Sequence, residues 1–460
     1  MFIVMWALAL GALVLSSLQL FGYRQAMLGR DVSARIQARW AARGGLEYLI
    51  AVMADHTAEP DPDDPYAMVR DMDAFFEGEY EVGGRVISSY DIRHDADGRQ
   101  WAGPMDEHSK ININAALTDP RLLNSLWDMT PDIVDALLDW LDEDDDERPL
   151  GAERYYYQSL SIPYEPRNGP MRNIGEMELV AGMWPEHLRG EDWDLNSRID
   201  PNEDDGEQTW PPDEPDQKLD SGWAGLLTTY SVEANLGVSG LPLLDLAEAD
   251  PAEIEERLGI EADQAEALST FARQSDARIE SLLTEQIARM HQPAEAARIT
   301  RTRRAQPTSG MMLTAADESQ SQQTKTPPPE LDLETTELGD VFAEATIGAS
   351  DRRGPGRMNI NTVSEELLRQ LLVDREHLIN EIMYLRSVAG INSMADLIEI
   401  PAFQEDTETL EYLAQIMDTR SYVYTICSKG RSWPSGLEVE IIATVDRSTL
   451  PVRILEYREQ

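Results

Sequence analysis

The sequence predicts an α+β protein. A long N-terminal transmembrane helix leads into a small antiparallel sheet formed from both chain ends, and a large all-helical insertion lies between the two halves of the sheet. Three observations predict this. Residues 2–21 read FIVMWALALGALVLSSLQLF, with no charge before Arg24. Alternating, β-branched segments stand near both ends, at 79–93 and again at 421–428, 437–445 and 452–457. Between them a helical unit at 110–183 recurs as a shorter copy at 357–403.

The elements follow in order. A helix of about 20 apolar residues spans ~30 Å, the thickness of a bilayer's hydrocarbon. Ile36, Trp40, Leu46, Leu49, Ile50 and Met53 continue at near-helical spacing, decorated by Arg24, Arg30, Arg35, Arg39 and Arg43. A cleaved signal peptide would carry a basic leader and a small-residue cleavage site, so an anchored helix over 1–55 is the better reading. The positive-inside rule puts the arginine-rich side in the cytoplasm unless a short basic leader precedes Met1. The proline-broken segment 55–65 ends the helix, and a short helix is expected around 66–76. Residues 79–93 read as a hairpin about a Gly-Gly break.

The insertion opens with KININAAL. Asn112 and Asn114 align with Asn359 and Asn361 of the second copy, and later Ile174, Glu176, Val180 and Met183 align with Met394, Asp396, Ile400 and Phe403. The surplus of the first copy falls on roughly 144–170, most of an acidic and tyrosine-rich segment. Residues 190–222 read as a long acidic loop. A weaker third echo starts at 241, where LDLAEADPAEIEERL parallels ININAALTDPRLLNSL. Residues 300–340, rich in Ser, Thr, Gln and Pro, read as a disordered linker. The expected divisions are therefore 1–55, a split β-domain of 66–109 with 421–460, a helical insertion over 110–299, a linker over 300–345 and the second helical unit over 346–420.

Composition restricts function. Acidic residues number 85 against 39 basic ones, a net charge of −46. Such a surface repels phosphate backbones, so nucleic acid is not an expected partner, and it favours hard cations or basic proteins. The single cysteine, Cys427, excludes an intrachain disulfide and a cysteine-rich metal cluster. The six histidines are scattered, and no nucleophile motif, P-loop or dinucleotide fingerprint occurs. Enzymatic activity is not expected.

The repeated units look like helix-hairpin-helix modules, which grip DNA phosphates through glycine-rich hairpins. Here the hairpins are Asp128-Met129-Thr130-Pro131 and Val373-Asp374-Arg375-Glu376, without glycine, so a phosphate nest is not expected and the units read as packing elements. The paired asparagines read as caps or braces at the start of each unit. The sharpest chemical signal is the acidic run DEDDDE at 142–147. Asp142, Asp144 and Asp146 occupy positions 1, 3 and 5 of a twelve-residue frame that ends on Glu153, the ligand spacing of a Ca²⁺ loop. The frame departs from an EF-hand at Glu147 and Pro149, so a calcium-ordered loop rather than an ordinary EF-hand is expected, with a solvated acidic loop as the bland alternative.

Assembled, these features resemble the general secretion pathway protein K family (GspK), the large minor pseudopilins of type II secretion. The resemblance is carried by Lys110–Asn114, Leu138–Asp142, Gly151–Glu153 with Tyr155, and Pro163-Tyr164, and it is weak over 190–355. It implies a pilin-like helix and sheet carrying a helical insertion that binds calcium. It also implies a non-enzymatic subunit at the pseudopilus tip, anchored by one pass in the inner membrane with its head in the periplasm. Its partners would be minor pseudopilins I and J, and prepilin peptidase would remove a basic leader. The family lacks the usual pilin glutamate at mature position 5, and Met5 and its neighbours are apolar here. The alternative reading is a membrane-anchored helix-hairpin-helix protein that binds DNA, of the competence-receptor type.

Overall fold

A computed structural model describes residues 1–61, 64, 66–291, 331–348 and 354–460. Helix α1 (Phe2–Ala58) runs unbroken for 57 residues, about 85 Å at 1.5 Å per residue. Its two halves have different surroundings. The N-terminal window is long and apolar enough to cross a membrane and has no buried residue. From Ala34 onward small residues turn inward: Ala34, Ala38, Ala41, Ala42 and Gly45, followed by Leu46, Leu49 and Met53. A stripe of small side chains lets a helix axis approach a sheet closely, and here it lies across the sheet's central strands.

That sheet is one structure built from both chain ends. Helix α2 (Ala67–Asp73) precedes β1 (Glu77–Val82), β2 (Arg85–Ala96), β3 (Arg99–Ala102) and β4 (Met105–Asp106). Three further strands come from the C-terminal end: Val423–Ser432, Glu438–Asp446 and Arg453–Glu459. β2 pairs antiparallel with 423–432, which pairs with 438–446, which pairs with 453–459. The expectation of one sheet shared by the two ends therefore holds, with strand limits one to four residues from those read in the sequence. The contact with α1 is tight at Gly430, where a Cβ would lie 2.0 Å from the Ala38 carbonyl oxygen. Ile92, Ile426, Ile441, Ala443 and Val445 form the apolar side of this core with Leu46, Leu49 and Met53.

The insertion has a separate, larger core running from Ile111 to Met417. Among the described residues it shows three units, each closed by two residues of parallel strand. β5 (Ile111–Asn112) pairs with β6 (Leu227–Thr228), β7 (Leu244–Asp245) with β8 (Ala345–Thr346), and β9 (Met358–Asn359) with β10 (Met417–Asp418). Each unit begins with two helices joined by a tight turn. They are α3 (Arg121–Asn124) and α4 (Pro131–Leu141); then, after α5 (Arg154–Ser159) and α6 (Pro185–Arg189), α7 (Pro251–Leu258) and α8 (Ala262–Ala272). After α9 (Ser281–Met290) and α10 (Thr335–Glu344) come α11 (Glu365–Leu371) and α12 (Glu376–Val388); α13 (Pro401–Glu405) and α14 (Thr407–Ile416) close the last unit. In chain order the C-terminal strands are β11 (Val423–Ser432), β12 (Glu438–Asp446) and β13 (Arg453–Glu459).

The turns answer one another. Asp128, Gly259 and Asp374 all take positive φ, at 59°, 67° and 63°. So a left-handed residue stands in each turn, supplied by glycine only in the middle unit. The asparagine pairs also match. The Asn112 and Asn359 side chains accept from the Asn114 and Asn361 amides. Asn114 exchanges two hydrogen bonds with the Met171 backbone at 3.1 and 2.8 Å, and Asn361 does the same with Ile391 at 2.8 and 2.9 Å. These side chains brace each unit's first residues against the segment that follows its helical pair.

One expected boundary changes. The linker read at 300–345 is helical at its C-terminal end, since α10 and β8 lie within it. Leu331, Leu333, Leu338 and Val341 are buried, and Glu334 with Glu337 forms a capping box. The local composition is polar, but four apolar residues at core spacing are enough to dock the helix. The rest of that linker, 300–330, lies outside the described residues.

Candidate metal centre

The acidic run follows directly from α4. Trp140 and Leu141 are buried at the end of that helix, and Asp142 caps it with extended backbone. Beneath the loop lies an aromatic cluster. Tyr157 packs edge-on to Trp140 at 5.3 Å between centroids and against Tyr164 at 5.3 Å, and its hydroxyl accepts from the Ala181 amide. This cluster holds α5 in place, and Glu153 is the residue that starts α5.

The loop is tied down by Arg148. Its Nη1 lies 2.7 Å from Asp139 Oδ1 and 2.5 Å from Asp142 Oδ2, and its amide donates to the fully buried Asp139. Gly151 passes so close to Asp139 that a Cβ would lie 1.9 Å from Oδ2. Only glycine fits there, which gives the Gly-Ala-Glu segment a steric reason. Asn168 reaches back from beyond the tyrosines and donates to the Asp144 carbonyl and the Asp145 carboxylate, at 2.7 and 2.9 Å.

Of the four residues predicted from spacing, three come together. Asp142, Asp144 and Glu153 each present an oxygen, all within 4.8 Å of one another. Asp146 is not among them. Its amide donates to Asp144 Oδ1 at 2.9 Å, so its place in the loop is to shape the backbone. Glu153 is 4% exposed, and neither of its carboxylate oxygens has a hydrogen-bond partner. Asp142 Oδ1 is also buried and unpaired. Burial, and then the negative charges of Asp139 and Asp142, push the Glu153 carboxyl up to about 7. Such unpaired oxygens on hard carboxylate donors are what a divalent cation with oxygen ligands requires.

A second set of carboxylates was not singled out in the sequence, where 190–222 read only as a loop. Asp192, Asp194 and Glu203 converge within 4.8 Å, and Asp194, Asp200 and Glu440 do likewise. The signal that could have found it is the spacing Asp192, Asp194, Asn196 and Glu203, which escapes notice in a segment where acids are common.

The remaining features of the insertion serve its join to the sheet. Asp106 Oδ2 accepts from the Thr362 and Ser421 hydroxyls, each at 2.6 Å, and Glu107 accepts from Thr228 and Thr425, each at 2.5 Å. At the hairpin turns, Asp128 and Asp374 place carboxylates where a phosphate-gripping turn has glycine, and nothing found favours the DNA-binding alternative.

Comparison with known proteins gives one family. Residues 109–190 match the family model described as "Type II secretion system (T2SS), protein K". No protein with a curated description matches. Among solved structures, the chain is similar to one described as "The Crystal Structure of the GspK-GspI-GspJ complex from enterotoxigenic Escherichia coli Type 2 Secretion System". That likeness has 11% identity and a TM-score of 0.39, covering 94% of this chain and 99% of that one. The matched segment contains the braced asparagine, the left-handed Asp128 turn, the acidic loop and its tyrosine cluster. Over residues 109–190, then, the chain is similar to protein K of the type II secretion system.

Proposed function

We propose that this protein is a minor pseudopilin at the tip of a type II secretion pseudopilus. The observation that carries the reading is the protein K match over the first insertion unit, in a chain whose exposed apolar helix leads into a packed helix and sheet. In this reading α1 anchors the chain in the inner membrane by one pass, and the sheet and insertion form a head in the periplasm. Proteins I and J of the same system are its partners, meeting α1 and the head. Prepilin peptidase processes the unprocessed form. The role is structural, as befits a family that is a secretion component, and supports export across the outer membrane.

We further propose that Asp142, Asp144 and Glu153 hold a structural Ca²⁺. The support is the unpaired, buried oxygens of Glu153 and Asp142. The ion would neutralise the carboxylate charge that Arg148 leaves uncompensated and order the loop against the tyrosine cluster.

Deleting the gene in its own host tests the functional reading. Type II substrates should accumulate in the periplasm, and expression of the full chain should restore their export. Normal export in the deletion strain refutes it. Co-purification of the chain with proteins I and J from detergent-solubilised membranes tests the partners.

A further inference from the structure

Charge is unevenly placed along this chain. Of its 39 basic and 85 acidic residues, the first 45 positions hold five arginines and one acid, Asp31. Arg39 and Arg43 pair with Glu459 and Glu47. Among the described residues Arg24 and Arg30 pair with no carboxylate, and neither does Arg85 in the turn between β1 and β2. So a basic end stands on an otherwise strongly acidic protein.

That end lies beside the apolar part of α1. Strand β11 runs alongside α1 in the opposite sense. The Ser428 hydroxyl donates to the Ala42 carbonyl at 2.8 Å, Gly430 abuts the Ala38 carbonyl, and the Ser432 hydroxyl donates to Gln37 at 3.0 Å. Two residues of strand, about 6.6 Å, thus match four of helix, about 6 Å, so the two axes are nearly aligned. The turn after β11 therefore points toward the apolar end of α1, and there Arg30 Nη2 donates to the Pro434 carbonyl at 2.9 Å. The β1–β2 turn points the same way, because Ser88 lies opposite Ser432 and Tyr90 opposite Gly430. The insertion leaves the sheet at its other end, where Asp106 pairs with Tyr424.

Distances along α1 set the height of this end above a bilayer. Ala38, beside Gly430, stands about 25 Å past Phe21, the last residue of the apolar run. Gly84 lies six residues beyond Tyr90, about 20 Å back along β2. The tip of the β1–β2 turn is thus about 5–10 Å from the edge of the hydrocarbon, and the headgroup layer is roughly 5–8 Å deep. At that tip Gly83 and Gly84 have open space around them, and Val82 is 64% exposed. Trp433, in the neighbouring turn, is 53% exposed with the Arg431 guanidinium over its ring, the amphipathic kind of side chain that settles at a membrane interface.

We propose that this end of the sheet, Val82–Arg85 with Trp433, rests on the anionic headgroups of the bilayer that holds α1, with Arg24, Arg30 and Arg85 as its cationic contacts. The proposal rests on the reading of α1 as a membrane anchor. The acids at this end are Asp31, Glu81 and Glu438, and Glu438 faces Arg431 at 3.8 Å. An anionic surface repels the acidic remainder of the head and so turns the basic end toward itself. The head is then held at two places, by α1 and by the tip of the sheet, and does not swing on the helix alone.

A nitroxide on the full chain carrying Ser435→Cys tests this; the native Cys427 is buried and takes no label. The chain is placed in vesicles of phosphatidylcholine with about a quarter phosphatidylglycerol and a little nickel-chelating lipid, whose headgroup relaxes nearby spins. Relaxation of the label at 435 should be enhanced at least about threefold over a label at Ser159→Cys in α5, on the insertion. Arg30→Glu with Arg85→Glu, both at exposed positions, should remove most of that enhancement. Flotation with the vesicles reports the anchor separately. A chain that does not float removes the anchor reading and this proposal with it. A chain that floats but relaxes equally at 435 and 159 overturns the proposal alone, and that comparison stands even where the double variant does not fold. Enhancement that survives charge reversal in a folded chain, or that appears only with proteins I and J present, overturns it as well.

Discussion

Replacing Glu153 by Gln removes a charge while keeping the size of the side chain. In the metal-free chain the carboxyl is held from an ordinary 4.5 up to about 7. Each pH unit is worth about 1.36 kcal/mol, so the folded state favours the neutral form by about 3 kcal/mol. The sign follows from proton binding. Between pH 4.5 and 7 the folded chain holds a proton that the unfolded chain has lost, so stability falls as pH rises through that window and is level above it. In EDTA at pH 8, Glu153→Gln should therefore be the more stable protein, by up to about 3 kcal/mol, and its stability should fall less than the wild type's from pH 4.5 to 7. Calcium reverses the order. At a thousandfold excess over Kd, a bound ion adds about 4.1 kcal/mol to the wild type and nothing at this site to the variant. Urea titrations followed by circular dichroism, with EDTA and with Ca²⁺, measure both terms, and any second calcium site contributes equally to the two proteins and cancels. If Glu153→Gln is no more stable than the wild type in EDTA at pH 8, the account of a buried, uncompensated carboxylate fails. If the two gain equally from Ca²⁺, the metal assignment fails.

Other perturbations test the fold. Gly430→Ala drives a methyl group into the Ala38 carbonyl and should cost about 3 kcal/mol or more, seen as a lowered Tm or loss of folded protein, because backbone on both sides must shift. Asn114→Ala and Asn361→Ala each remove a reciprocal pair of backbone hydrogen bonds; each should cost about 2 kcal/mol in urea titration, and similar values would support equivalent roles in the two units. Asp128→Gly and Asp374→Gly relieve left-handed strain and should raise stability by roughly 0.5–1 kcal/mol each, after the added freedom of the unfolded chain is subtracted, which thermal melts can resolve.

Much of this architecture was legible because it rests on periodicity. The apolar run of α1, the alternation in β2 and β11–β13, and the repeated Asn-x-Asn openings are local patterns with one structural solution each. What escaped was set by distant contacts. Helix α10 lies in a polar stretch and is fixed by Leu338 and Val341 packing into a core assembled elsewhere. At the candidate metal centre, the fold brings together oxygens of Asp142, Asp144 and Glu153 out of the four residues that spacing picked out, while the Asp146 amide bonds to Asp144. The carboxylates of 192–203 stood in plain view, yet Glu440 lies far along the chain from them, and only the folded sheet brings them together.

The three pairs of two-residue strands have a consequence for how such a chain can change. Each unit starts and finishes at the same place, so the chain leaves a unit beside the point where it came in. Extra length gained inside a unit need not displace its neighbours, and the entropic cost of a longer closed loop grows only with the logarithm of its length. The first unit has taken in the acidic and tyrosine-rich segment in this way, and in the sequence the stretch that includes 300–330 falls between α9 and α10 of the middle unit. Divergence within such a family should therefore appear as units of unequal length on a constant set of closing strands.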